Sequence, residues 1–136
     1  MYEHLVKKRV RYGETDQMGY LYYGNYALYY EIGRAEMLRS LGLTYKTMEE
    51  DWGIMMPVVN MSTRYLRPAR YDEEITIRTQ LRVLPEKDII FHFELFNPNG
   101  KLINGGRVAL CFVEVEANAR VQCPTPLLEL LRPHFE

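Results

Sequence analysis

This 136-residue sequence has only two cysteines and three histidines, no excess of either charge, and no extended apolar run. Cys111 and Cys123 stand apart with no second pair and no histidine beside them, so neither a zinc site nor a disulfide framework is indicated. Reduced thiols in a cytoplasmic setting are expected. His4 and His134 lie near the ends and His92 inside an alternating pattern, so each reads as a surface or packing residue rather than a catalytic base. Seventeen basic against eighteen acidic side chains leave a net charge of -1, without the basic field of a nucleic-acid binder. No stretch approaches the ~20 apolar residues that span a bilayer. The charged, strand-like segment Met1–Arg9 likewise points to a soluble, cytoplasmic protein. There is no internal repeat, no low-complexity stretch and no Ser/Gly/Pro linker. Residues 1–136 therefore read as one domain, long enough to bury a core without metals or disulfides.

What is present in excess is tyrosine. There are eleven, against five phenylalanines and one tryptophan, and six of the eleven fall between Tyr20 and Tyr30. No compositional rule accounts for such a cluster, which makes it the first place to look for function.

His4 to Tyr12 alternates loosely and reads as a first strand, followed by a Gly-bounded polar loop from Gly13 to Gly19. From Asn25 the period changes. Tyr26, Tyr30, Gly33, Met37 and Leu41 follow helical spacing, Ala27, Ile32, Ala35 and Leu38 widen the stripe, and Gly42 stands where a C-terminal cap belongs. The pattern predicts a largely buried helix of about seventeen residues, ~26 Å long, with Asn25 as N-cap. A short helix capped by Thr44 follows. Strands are then expected over Ile54–Arg67, broken or begun at Pro57, over Ile75–Val83, over Ile89–Phe96 and over Lys101–Glu116. Asn97-Pro-Asn-Gly100 is a hairpin signal, and Gly105-Gly106 suggests a bulge. Thr125, followed by Pro126, should cap a last short helix over Leu127–Leu131. One early helix and a meander of hairpin-linked strands give an α+β fold on an antiparallel sheet, since the connections are too short for parallel crossovers.

The chemistry-bearing segment is Arg9-Val-Arg-Tyr-Gly-Glu-Thr-Asp16-Gln-Met-Gly19-Tyr-Leu-Tyr-Tyr23-Gly-Asn25-Tyr26. It sets one carboxylate, Asp16, in a glycine-bounded loop just before the helix, where unpaired backbone amides and the positive end of the helix dipole meet. An aspartate in a loop is by itself most often a turn or capping residue. Arg9, Val10, Thr15, Asp16, Gly19, Tyr22, Asn25 and Tyr26, however, fall without a gap on the active-site signature of the 4-hydroxybenzoyl-CoA thioesterase-like family of hotdog-fold acyl-CoA thioesterases, which the whole chain resembles in element order and length. Position 23 is Tyr, as in the hydroxybenzoyl branch, where the Tol-Pal-associated branch has His.

The resemblance implies a hotdog fold, an antiparallel sheet wrapped around a long central helix. It also implies hydrolysis of an acyl-CoA to acid and CoA, with Asp16 as nucleophile or general base and the Tyr23 amide as oxyanion donor. Histidine is dispensable in such a reaction, because a thiol of pKa ~8.5 leaves readily and an aspartate of ordinary pKa ~3.9 is ionised at neutral pH. Gly19, Asn25 and Tyr26 belong to the substrate surround, with Asn25 better suited to loop support than to catalysis. Asn60, Ser62 and Thr63 are expected along the pantetheine arm, and Arg64 and Arg67, with Arg70, Lys87 and Arg107, are candidates for the CoA phosphates. Glu14, Glu31 and Glu36 read as solvated or ion-paired. Tyr20 and Tyr29 receive no role. The resemblance further implies no metal and no cofactor beyond the CoA of the substrate, and a homodimer at minimum, commonly a homotetramer, with sites shared between subunits. Two other readings are a hotdog dehydratase, which needs a well-placed histidine, and a non-catalytic module binding acyl-CoA or an acyl-carrier-protein thioester.

Overall fold

The computed structural model describes residues Met1–Glu136. Five strands form one antiparallel sheet in the order β1 (Tyr2–Arg9), β4 (Glu74–Leu81), β5 (Asp88–Phe96), β6 (Leu102–Glu114) and β3 (Val58–Tyr65). The far end of β6 is flanked by the short strands β2 (Ile54–Met55) and β7 (Ala119–Val121). Helix α1 (Tyr26–Ser40) lies against this sheet, α2 (Tyr45–Asp51) follows it, and α3 (Thr125–Leu131) closes the chain. The sheet curls around the long helix, which is the hotdog arrangement in an α+β fold.

Period two decides which side of each strand meets α1. Ile75, Ile77, Thr79 and Leu81 of β4 and Ile89, Phe91, Phe93 and Leu95 of β5 are buried, while their neighbours in the strands, Gln80 excepted, are not. On the helix, Tyr26, Tyr29, Tyr30, Gly33, Met37 and Leu38 are buried. The two surfaces approach closely at two glycines. A Cβ on Gly33 would lie 2.9 Å from Ile77 Cγ2 and 3.2 Å from Phe93 Cε1, and one on Gly106 would run into the Tyr30 ring. That ring stacks on Phe93 at 4.6 Å.

Tyr30 also carries polar weight. Its hydroxyl bonds Asn104 Oδ1 and lies 2.7 Å from Thr63 Oγ1, while Asn104 Nδ2 donates to Thr63 Oγ1 and to the Arg64 carbonyl, both at 3.0 Å. Burial pushes the Tyr30 hydroxyl up to about 12, so it stays protonated and able to donate at neutral pH. A fully buried asparagine is tolerated here because both ends of its amide have partners.

Several local expectations hold. Gly42 has φ +83°, and the Gly42 and Leu43 amides donate to the Arg39 and Leu38 carbonyls, closing α1 with a Schellman cap. Thr44 caps α2 by accepting from the Thr47 amide at 3.1 Å. Pro57 separates β2 from β3, and Gly100, at φ +77°, turns the β5–β6 hairpin while Asn97 Oδ1 accepts from the Asn99 and Lys101 amides.

Others are corrected. The first strand ends at Arg9, three residues early, because the Val10 amide turns to the Glu73 carbonyl. Helix α1 has 15 residues, and Asn25 does not cap it with its side chain, since its Nδ2 donates backwards to the Glu14 carbonyl at 2.9 Å. The helix is covered on one side only, and Ala27, Leu28 and Glu31 face out. No register shift occurs at Gly105-Gly106; the irregularities are at Val58/Asn60 and Leu95/Phe96, and Gly106 is instead the bed of Tyr30. α3 starts at Thr125, the residue expected to cap it, and the cap position falls one residue earlier on Pro124, whose carbonyl takes both the Leu127 and Leu128 amides.

The two neighbouring glycines give a direct test of the close approach. Gly106→Ala should lose about 1–3 kcal/mol in chemical denaturation because the new methyl group displaces Tyr30. Gly105→Ala, whose Cβ would meet nothing nearer than the Phe93 carbonyl at 4.0 Å, should stay within about 1 kcal/mol of wild type.

Candidate active site

The loop between β1 and α1 is built by its own backbone. A 3-10 turn over Tyr12–Glu14 is closed by the Glu14 carboxylate accepting from the Arg11 amide at 2.8 Å and by Thr15 Oγ1 donating to the Tyr12 carbonyl at 2.7 Å. Asp16 N donates to Tyr20 O at 2.8 Å and Tyr22 N to Glu14 O at 2.9 Å, which folds residues 14–22 into a short two-stranded arch. The tip turns through Gly19 at φ +77°, its amide donating to the Asp16 carbonyl at 3.0 Å. Bonds from Leu21 N to Ala69 O and from Tyr71 N to Gly19 O tie the arch to the segment after β3. Arg70 lies over the Tyr20 ring at 5.1 Å, which gives that tyrosine a packing role.

Asp16 is half-buried at the base of the turn. Its Oδ1 accepts from the Met18 amide at 2.9 Å and the Tyr20 amide at 3.1 Å, which fixes the carboxylate, while Oδ2 has no partner in the chain. Just beyond, a 3-10 turn over Tyr23–Asn25 runs straight into α1. The Tyr23 and Gly24 amides have no acceptor, as the first amides of a helical segment must if nothing caps them. The Tyr23 carbonyl, by contrast, is taken by the Tyr26 amide and by the Tyr65 hydroxyl at 3.3 Å.

Asp16 and Tyr23 line one cleft of about 350 Å3, closed by Met18, Tyr26, Tyr65 and Leu66, with Arg67 at its edge. Tyr26 and Tyr65 meet edge to face at 5.0 Å. A second, more polar cleft of about 560 Å3, bounded by Tyr12, Thr15, Gln17, Gly19 and Tyr71, also reaches Asp16. The carboxylate therefore has an apolar and a polar approach. The arrangement can hold a flat electrophile against a fixed anion, with free N–H groups at a helix start to take negative charge.

Of the residues expected to act together, Asp16, Tyr23, Tyr26 and Arg67 share the cleft, and Gly19 shapes the loop. Asn25 stands behind it, bonded to Glu14. Asn60, Ser62 and Arg64 are exposed on β3, outside both clefts, and the Thr63 hydroxyl is occupied by Tyr30 and Asn104. Arg67 Nη1 is held by the Leu102 carbonyl at 2.8 Å. Tyr65, Leu66 and Met18 were not singled out in the sequence; their signal was weak, an aromatic-apolar pair at a strand end and a methionine in a turn. No group of three or more His, Cys, Asp or Glu side chains is arranged to hold a metal ion.

Glu14 is the larger surprise. Its Oε1 accepts from the Arg11 amide, from Lys8 Nζ at 3.0 Å and from the Tyr29 hydroxyl at 2.8 Å. Burial acts to raise its pKa, but the Arg11 amide, Lys8 and Tyr29 together hold it below the ordinary glutamate value. Burial and the facing Glu14 push the Tyr29 phenol well above its usual range, so it remains a donor.

An arched loop with a fixed carboxylate, beside a cleft at the start of the helix that a curled sheet enwraps, defines a hotdog-fold protein with an acidic loop at its candidate site. Residues 10–131 match the model of the Thioesterase-like superfamily, and the chain belongs to that family. It is 36% identical over 101 residues to the "Putative acyl-CoA thioesterase YneP" of Bacillus subtilis, covering 73% of this chain and 72% of that protein. It is 28% identical over 106 residues to the acyl-CoA thioester hydrolase YbgC of Escherichia coli O6:H1, covering 78% of each. A crystal structure of a DHNA-CoA thioesterase from Staphylococcus aureus superposes with a TM-score of 0.87 at 26% identity, over 100% of this chain and 97% of the other.

The depressed pKa of Glu14 fixes the sign of a pH effect. Its contribution to stability is fully present above the ordinary glutamate value and is lost as pH falls through the depressed one. Thermal melting between neutral pH and about pH 3 should therefore show wild type losing more stability toward acid than Glu14→Gln, which has no proton to take up there. Parallel acid limbs would show that Glu14 is not the group responsible.

Proposed function

We propose that this protein is an acyl-CoA thioesterase whose chemistry centres on Asp16. The observation that carries the reading is one pairing: a carboxylate fixed through Oδ1 and free at Oδ2, in the same cleft as Tyr23, whose amide is unpaired. The names of YneP and YbgC support the substrate class.

With the thioester carbonyl in this cleft, its oxygen accepts from the Tyr23 amide, and the helix dipole favours the charge that develops there. Asp16 either attacks the carbonyl carbon, giving a mixed anhydride that water then opens, or takes a proton from an attacking water. In both routes a C–O bond forms, the C–S bond breaks, and the CoA thiolate leaves without needing a general acid, because a thiol of pKa ~8.5 is a good leaving group. A backbone donor of this kind is worth roughly 2.7–4 kcal/mol of barrier. The rings of Tyr23, Tyr26 and Tyr65 form the wall, and Arg67 is the cation best located for a CoA phosphate. Asn60, Ser62 and Thr63 are the residues assigned to the path of the pantetheine arm, and Arg64 offers a further phosphate contact. A carrier-protein thioester presents the same reacting group.

The unpaired edge of β3 and its exposed apolar residues Val58, Val59 and Met61 support a homodimer, or a homotetramer, in which strands of two copies continue one sheet. No helix is long and apolar enough to cross a membrane. The two free cysteines suit a reducing cytoplasm.

Thiol release from short, long and aromatic acyl-CoAs tests the reading. Wild type should turn over at least one of them, and Asp16→Asn should be slower by about 10²–10⁴-fold while still binding it. Binding without turnover by wild type would favour a recognition module, and an undiminished Asp16→Asn would exclude this mechanism. In sedimentation at micromolar concentration the mass should be at least twice the 16.1 kDa of the chain; a 16.1 kDa species alone would contradict the assembly.

A further inference from the structure

We propose that Glu14 is a positioning residue for this reaction, holding both halves of the site in register: the loop that carries Asp16 and the turn that carries the Tyr23 amide. The inference rests on the thioesterase reading above. Glu14 touches neither cleft, so its action has to run through other groups.

Two parts of the residue work in opposite directions along the chain. Its side chain reaches back to β1 and down to the helix: Oε1 takes Lys8 Nζ, the Arg11 amide and the Tyr29 hydroxyl, at 3.0, 2.8 and 2.8 Å. Lys8 in turn sits over the Tyr29 ring at 5.2 Å, and the Lys8–Glu14 pair is about four-fifths shielded from solvent. Charge-assisted bonds of this kind hold geometry more firmly than neutral ones. Meanwhile its carbonyl takes the Tyr22 amide and Asn25 Nδ2, both at 2.9 Å. Those two residues bracket Tyr23 and Gly24, so the free amides hang between two bonds to one peptide carbonyl. Asp16 follows Glu14 by two residues and is joined to the returning strand of the same arch. A displacement of Glu14 thus moves the Asp16 carboxylate and the Tyr23 amide relative to each other. Misplacement of about 1 Å can cost on the order of 100-fold in rate.

The test compares Glu14→Ala, Glu14→Gln, Tyr29→Phe and Asn25→Ala with wild type and Asp16→Asn, using the best acyl-CoA of the panel, well below each variant's melting temperature. Glu14→Ala should lower kcat about 10–100-fold with KM within about threefold. Glu14→Gln, whose amide oxygen still accepts from Arg11 and Tyr29, should recover most of that loss. Tyr29→Phe and Asn25→Ala should each lower kcat about threefold to tenfold, and Glu14→Ala combined with Tyr29→Phe should be no slower than Glu14→Ala alone. A residue that only stabilised the fold would shift the melting temperature and leave kcat of the folded enzyme unchanged. If Glu14→Ala does not fold, Tyr29→Phe and Asn25→Ala decide the matter, because each removes one bond and leaves the glutamate in place. Folded Glu14→Ala with kcat within twofold of wild type, or unaffected Tyr29→Phe and Asn25→Ala, would overturn the proposal. So would a Glu14→Gln as slow as Glu14→Ala, because its amide oxygen keeps the bonds from the Arg11 amide and the Tyr29 hydroxyl. An active wild type silenced by Asp16→Asn, with the Glu14 series unchanged, sinks this inference alone; a wild type inactive on every substrate sinks both.

Discussion

The seat of α1 on the sheet is the constraint from which the other features follow. Tyr30 lies on the bare backbone of Gly106, stacks on Phe93, and sends its hydroxyl to Asn104 and Thr63, while Gly33 lets the helix backbone come within contact of Ile77 and Phe93. Apolar burial of residues this size is worth about 1.5–3 kcal/mol each, but it is not directional. The polar bonds and the two glycines supply the direction. They fix the helix at one height and one rotation, and hence the place where its first turn opens onto the cleft.

A helix start held in this way is useful because it cannot satisfy all of its own amides. The chain leaves those of Tyr23 and Gly24 unpaired and turns the Asn25 side chain back toward the loop. What helix formation leaves unsatisfied becomes a site for negative charge. The Asp16 loop applies the same economy to the carboxylate. One oxygen accepts from the Met18 and Tyr20 amides, which leaves the other without a partner in the chain. Thioester chemistry asks for little more than this, since the leaving group needs no acid.

Much of this was legible in the sequence where the signal is local. Strict alternation in Ile75–Leu81 and Ile89–Leu95 marks strands with one buried face, Gly42 marks the helix end, and the Thr15-Asp16…Gly19…Asn25-Tyr26 spacing marks the loop. What stayed hidden depends on partners distant in the chain. Glu14 looked like one more solvated carboxylate because Tyr29, fifteen residues on, is brought to it only by the return of the helix. Tyr29 had no role for the same reason. Gly105-Gly106 carries two meanings in a strand, bulge or close approach, and only the position of Tyr30 selects the second. The wall residues Tyr65 and Leu66 come from the end of β3, which reaches the cleft through the curl of the sheet.

In the proposed reaction a thioester carbonyl sits between Asp16 and the Tyr23 amide. This placement is tested most directly by a crystal structure of the Asp16→Asn variant with an intact acyl-CoA. The carbonyl oxygen should lie within hydrogen-bond distance of the Tyr23 N–H, with the carbonyl carbon facing the side chain at position 16. A thioester bound elsewhere, with the Tyr23 amide still unpaired, would contradict it.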